Sequence, residues 1–178
     1  MSTTNKAMID TGGGNTDWQD IFLKVIKNYP PKTIFEFGLG LGSLFLTSNC
    51  EKLVSYEVVV REEQKGWADF VKSQITKENY EVIVDEFPDT WNSEMCTRFT
   101  LLLEKYNPDI VFVDSGCHCR GEIVNLCIKK GINIIIAHDT NHGINAYGWD
   151  LIDKKDYYKY QDTNMQGTTV WSRKPLDL

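Results

Sequence analysis

The sequence contains no apolar run long enough to cross a bilayer. Its longest largely apolar stretch, Ile132 to Ala137, is broken once by Asn133 and falls far short of the ~20 residues that a membrane-spanning helix needs. The opening Met1-Ser2-Thr3-Thr4-Asn5 is polar and lacks the apolar centre of a secretory signal, so neither membrane insertion nor secretion is expected. Basic runs are missing as well. Lys and Arg number 19 against 25 Asp and Glu, a net charge of −6, and a chain without a basic footprint is not built to grip nucleic acid by its phosphates. A neutral or small substrate is expected instead. Five cysteines are too few and of the wrong parity for a disulfide framework, and at 178 residues a core forms without staples, so free thiols in the reducing cytoplasm are expected. Interior repeats and linkers rich in Pro, Gly or Ser are absent too, which leaves one domain over residues 16–178.

What is present is an ordered alternation. Thr11-Gly12-Gly13-Gly14-Asn15 has little side chain to pack, so residues 1–15 read as a mobile arm. Thr16 can cap a helix with Trp18, Ile21, Phe22, Val25 and Ile26 on one face, ended by Pro30-Pro31. Thr33 to Phe37, Leu53 to Glu57, Tyr80 to Val84, Asp109 to Val113 and Ile132 to Ala137 then read as strands, short, β-branched and buried on both faces. Between them, residues 42–49, 61–76, 92–106 and 119–130 read as helices, the last closed by Gly131. Strands joined by helices require crossovers, hence a parallel sheet covered on both sides. The end of the chain breaks this rhythm. Residues 156–160 and 168–172 leave no room for a crossover helix and must pair as an antiparallel hairpin. The fold class is therefore α/β, Rossmann-like and doubly wound, with a mostly parallel seven-stranded sheet and a terminal antiparallel hairpin.

The densest chemistry lies at the first strand. Glu36, Gly38, Gly40, Gly42 and Ser43 follow one another where a strand enters a helix, and glycines there allow a ligand to approach the backbone. At the end of the second strand Glu57 lies 21 residues beyond Glu36, where a carboxylate meets the hydroxyls of a ribose. Asp114, ending the fourth strand, borders the same crevice. Counted from Gly38, glycine occupies positions one, three and five, and Ser43 stands at the sixth, where the dinucleotide fingerprint requires glycine.

All three histidines, His118, His138 and His142, fall within 25 residues, after the fourth and fifth strands. In an open α/β sheet that edge is where ligands bind. A histidine there suits a general base because it titrates near neutrality. Asp114 and Asp139, with Asn141 nearby, offer the hard oxygen ligands that Mg²⁺ accepts, and such an ion lowers the pKa of a bound hydroxyl.

The Glu-x-Gly-x-Gly-x-Gly arrangement, with Glu57 closing the second strand, resembles the first motif of class I S-adenosylmethionine-dependent methyltransferases. Val113-Asp114-Ser115-Gly116-Cys117-His118 and Ile136-Ala137-His138-Asp139-Thr140-Asn141 look like the paired segments of small-molecule O-methyltransferases. They are most similar to the group of rhamnosyl and macrolide-sugar O-methyltransferases and cephalosporin-hydroxylase-like proteins, and more distantly similar to catechol O-methyltransferase. The resemblance runs from Trp18 to about Arg173. It implies S-adenosylmethionine along Gly38, Gly40 and Gly42, its ribose on Glu57, and its adenine near Asp85 and Glu86, which read equally as solvated loop carboxylates. It further implies Asp114 and Asp139 as metal ligands and His118 as base. A metal-free variant with Asp114, His118 or Asp139 as base stays open. Homodimers are common in this family and are a candidate assembly here.

Three further features complete the reading. Cys117-His118-Cys119 invites zinc, but only Cys96 and Cys127 remain as further ligands, and small apolar thiols at a helix start are the better account. Trp18 and Gln19 precede the glycine-rich strand where related methyltransferases carry an entry segment near the cofactor, but Trp18 also fits the apolar face of its helix, and core packing is the better account of its ring. Residues 143–150, with Asn145, Tyr147 and Trp149, combine stacking and amide groups that suit a sugar, and with His138 and His142 they form the candidate acceptor site. The expected activity is methyl transfer from S-adenosylmethionine to a hydroxyl of a small acceptor, plausibly a sugar in a glycan. The alternatives are an NAD-linked oxidoreductase and a non-catalytic cofactor-binding module.

Overall fold

The computed structural model describes residues 18–60, 62–141, 146–162 and 166–178. The expected arm over residues 1–15, the Thr16 cap, His142 and Asn145 lie outside them. Elements follow in the expected order: α1 (Trp18–Asn28), β1 (Thr33–Phe37), α2 (Gly42–Thr47), β2 (Lys52–Val59), α3 (Glu63–Gln74), β3 (Tyr80–Glu86), α4 (Ser93–Tyr106), β4 (Ile110–Val113), α5 (Arg120–Lys130), β5 (Ile134–His138), a 3₁₀ turn (Trp149–Leu151), β6 (Tyr158–Asp162) and β7 (Thr168–Ser172). The seven strands form one sheet in the order β3-β2-β1-β4-β5-β7-β6. β1 to β5 pair in parallel, whereas β7 runs antiparallel between β5 and β6. No described helix is long and apolar enough to cross a membrane.

Alternation along the strands builds two cores. In β1, Phe35 and Phe37 face α4 and α5, packing with Phe99, Leu102, Ile123 and Val124. Ile34 faces the opposite side, with Phe22 and Val25 of α1 and Phe45 and Leu46 of α2. α3 adds Ala68 and Val71, and Ile75 just beyond its end, around Leu39. Each large apolar side chain buried this way contributes about 1.5–3 kcal/mol. The expectation that every strand before the hairpin is buried on both faces fails at β3, whose residues are half-buried or exposed because it is an edge strand with one neighbour.

Local signals stop the helices where the chemistry requires. Asn92 caps α4 by accepting from the N–H groups of Glu94 and Met95, both at 3.0 Å. Asn107 ends α4 and Gly131 ends α5 in left-handed conformations, φ 42° and 72°. The consequence for function is the direction change at β1. From there the chain winds outward to β2 and β3, then returns to β4 on the other side, so the loops leaving the carboxyl ends of β1 and β4 part into a crevice.

Candidate functional site

A cleft of about 580 Å³ opens at that crevice, within the range of about 300–1,000 Å³ typical of small-molecule sites. One wall is the loop from Gly38 to Gly42; the floor and opposite wall carry Glu36, Phe112, Asp114, His138 and Asp139. Gly38 has φ 100°, and a Cβ there would stand 2.3 Å from the carbonyl oxygen of Asp114, so only glycine lets the ends of β1 and β4 meet. Gly40 is different. Its Cβ would find no protein atom nearer than 3.9 Å, so glycine there leaves open a cradle that a side chain would fill. Trp67 of α3 anchors the loop, its indole N–H donating to the Leu39 carbonyl at 2.7 Å.

The two motif carboxylates support this loop from below. Glu36 is buried and accepts from Ser43 Oγ at 2.7 Å and from Ser55 Oγ. Burial pushes its carboxyl up to about 8 despite those two donors, and the nearby carboxylates Asp114 and Glu57 push the same way. Glu57 is also buried, accepts the Leu39 N–H at 2.7 Å, and is raised to about 7, mainly by burial and against that hydrogen bond. It lies behind the loop and does not line the cleft. Asp85 is elsewhere: Arg98 Nε and the Tyr56 hydroxyl donate to it at 2.7 and 2.8 Å beside α4. It lines a separate surface cavity with Glu86.

At the far side β4 and β5 deliver Asp114, His138 and Asp139, whose candidate ligand atoms lie within 4.8 Å of one another. His138 Nδ1 is 3.5 Å from Asp114 Oδ1 and 3.7 Å from Asp139 Oδ1. Asp139 holds φ 62°, a left-handed conformation unusual for a non-glycine residue, which turns the chain sharply out of β5. Arg120, at the first position of α5, enters this group from beneath. Its Nη1 is 2.9 Å from both Asp114 Oδ1 and Asp139 Oδ2 and also donates to the His138 carbonyl at 3.2 Å, while Nε donates to the Ser115 carbonyl at 2.7 Å. The Tyr147 ring covers the guanidinium at 4.2 Å.

Several expected residues are placed apart from this group. His118 is exposed, its Nε2 3.4 Å from Asp89 and its ring stacked on Tyr147, and it lines a different cavity with Glu122 and Gly148. It points outward because its backbone N–H is tied to Asp89 at 2.9 Å. Asn141 is exposed and lies against Gly167, its Oδ1 accepting from Gln161 Nε2 at 3.4 Å. With a guanidinium already between the two carboxylates, the residues present do not fit a Mg²⁺ bound between them. Among the described residues, Cys117, Cys119 and Cys127 form no disulfide and pack in the core. Tyr147 and Trp149 do adjoin the site. Trp149 Nε1 donates to the Asp139 carbonyl at 3.2 Å, and Gly121 lets this segment sit directly on α5, with the Gly121 N–H donating to Tyr147 at 2.7 Å.

Sequence reading passed over Arg120, Phe112, Trp67 and Gln166, all of which border the cleft or its floor. Arg120 carried a signal: a cation at the first turn of a helix opposes the helix dipole and needs carboxylate partners. The other three carried none.

No protein-family model and no curated protein matches the sequence. Solved structures match in fold. A methyltransferase of Podospora anserina, bound to SAH, superposes with a TM-score of 0.59 at 15% identity, over 89% of this chain and 77% of that one. MycE, a methyltransferase of the mycinamycin biosynthetic pathway solved with Mg and SAH, gives 0.55 at 15% identity, over 88% of this chain and 45% of that one. A methyltransferase of Geobacter sulfurreducens gives 0.52 at 13% identity, over 87% and 78%. With its strand order, antiparallel β7 and cleft at the β1–β4 switch point, the chain has the Rossmann-like fold of class I methyltransferases.

Proposed function

We propose that the protein transfers a methyl group from S-adenosylmethionine to a hydroxyl of a small acceptor, with a sugar in a glycan as the favoured class. The observation that carries this reading is the single cleft in which the open cradle of Gly40 faces a histidine flanked by two aspartates. Bound S-adenosylmethionine supplies a methyl group already activated on a sulfonium, which leaves the protein to align the acceptor and receive its proton. Gly38 to Gly42 frame the cofactor side. His138, in the cleft, is better placed than the outlying His118 to take the proton of a bound acceptor's hydroxyl, and Asp114 beside it would stabilise the resulting imidazolium. Tyr147 and Trp149 brace the acceptor side from behind, through the Arg120 guanidinium and the Asp139 carbonyl.

A nicotinamide-linked oxidoreductase fits less well. The position of the third fingerprint glycine holds Ser43, whose hydroxyl is committed to Glu36. Calorimetric titration with S-adenosylhomocysteine and, separately, NAD⁺ tests the reading. Binding of the first alone at micromolar affinity, about −8 kcal/mol, is expected; binding of NAD⁺ alone would overturn it. With labelled S-adenosylmethionine and a panel of sugar and catechol acceptors, His138→Gln should lower turnover by about 10²–10⁴-fold at unchanged S-adenosylhomocysteine affinity. A binding module would show affinity without turnover in the wild type.

A further inference from the structure

We propose that Arg120 is a built-in cation that takes the position between Asp114 and Asp139 where a divalent ion would otherwise bind, so that the site works without metal. Two carboxylates and an imidazole within 4.8 Å of one another would ordinarily collect a cation. Here one is covalently supplied. A single nitrogen, Nη1, stands 2.9 Å from an oxygen of each aspartate, and the side chain is buried. Guanidinium does not deprotonate at any physiological pH, so this cation is permanent. It is also fastened: its hydrogen bonds to the carbonyls of Ser115 and His138 and the Tyr147 ring over its face would all be lost if an ion displaced it. A divalent ion bound to the same oxygens would face an immobile positive charge at contact distance, which low local dielectric makes strongly repulsive.

Arg120 thereby acts as a positioning residue. Through Asp114 it holds the end of β4, through Asp139 and the His138 carbonyl the end of β5, and so it sets where His138 stands in the cleft. The cation between the carboxylates is a matter of geometry alone; its catalytic consequence rests on the methyltransferase reading given above.

The test titrates the purified protein with Mn²⁺, followed by its electron paramagnetic resonance signal, and measures S-adenosylhomocysteine affinity in EDTA and in Mg²⁺. Wild type should bind no Mn²⁺ at this site up to millimolar concentration, and its S-adenosylhomocysteine affinity should be the same in both buffers. Arg120→Met, which empties the position but keeps the three donors, should gain Mn²⁺ binding that a further Asp114→Asn change abolishes; a purely structural arginine would produce no such gain. Arg120→Lys keeps a cation and should remain free of Mn²⁺. Wild-type Mn²⁺ binding that disappears in Asp114→Asn would overturn the proposal, as would a folded Arg120→Met that binds none. If Arg120→Met does not fold, the wild-type and Arg120→Lys titrations decide alone. Failure of S-adenosylhomocysteine to bind at all would instead sink the methyltransferase reading and leave the Mn²⁺ result standing.

Discussion

Gly38 and Gly40 sit two positions apart in one loop and are glycine for different reasons. At Gly38 both the positive φ and the approach of the Asp114 carbonyl forbid a side chain, so Gly38→Ala should destabilise the fold by about 2 kcal/mol or more, read as a fall in the urea midpoint. At Gly40 a side chain meets only open space. Gly40→Leu should therefore melt close to wild type while losing S-adenosylhomocysteine affinity; equal losses in stability at the two positions would contradict the distinction. Glu36 makes a second residue-scale case. Its carboxyl, raised from 4.5 to about 8, keeps its proton in the folded state over a range where the unfolded chain has already released it. The unfolded state then binds fewer protons than the native one, so stability falls as pH rises from about 4.5 to about 8, by up to about 1.4 kcal/mol per unit. Glu57, raised to about 7, acts in the same direction. Glu36→Gln removes the larger contribution, so the stability difference between variant and wild type should move in the variant's favour across this interval. A difference independent of pH would mean that Glu36 is ionised in the native state.

At the scale of elements, helix ends and latches govern which loops stay in place. α4 starts at a capping side chain that satisfies two otherwise unpaired N–H groups, so Asn92→Ala should cost about 1 kcal/mol in chemical denaturation. The site should be untouched, since the mouth of the cleft is formed by other segments. The segment from Ala146 to Leu151 is held differently. It rests on α5 because Gly121 has no side chain, and a Cβ there would stand 2.0 Å from the Gly148 carbonyl oxygen. That contact keeps the Tyr147 ring over Arg120 and Trp149 against Asp139, which links the start of one helix to the chemistry of two strand ends.

The whole molecule is held by one sheet with a core on each face, and β7 belongs to both. Trp171 packs on the face of α4 and α5, and Val170 on the face of α1 and α2. All five residues of β7 are buried, as expected for a strand inserted between β5 and β6. Trp171→Ala should cost about 3–5 kcal/mol. Its unfolding should remain a single transition, with near-ultraviolet and far-ultraviolet circular dichroism changing together, because neither face can persist once the sheet it shares is lost. Two separated transitions would show that the faces fold independently.

The sequence by itself determined the alternation of strands and helices, the terminal hairpin and the cofactor-side loop, because each is written in short-range terms: apolar period, turn residues, glycine spacing and caps. β1 and β7 fall on the expected residues, and α4 and α5 differ only in that Asn92 and Cys119 are capping positions rather than first turns. The far side of the cleft was decided only by tertiary structure. His118 and His138 are the same residue type and both follow apolar strands, yet the tie to Asp89 turns His118 outward while His138 stands between the aspartates. Arg120 and the two carboxylates it bridges come from three different elements, so no local pattern could join them. What placed one cation against two strand ends is the burial of charge, which is tolerated only where partners converge in space.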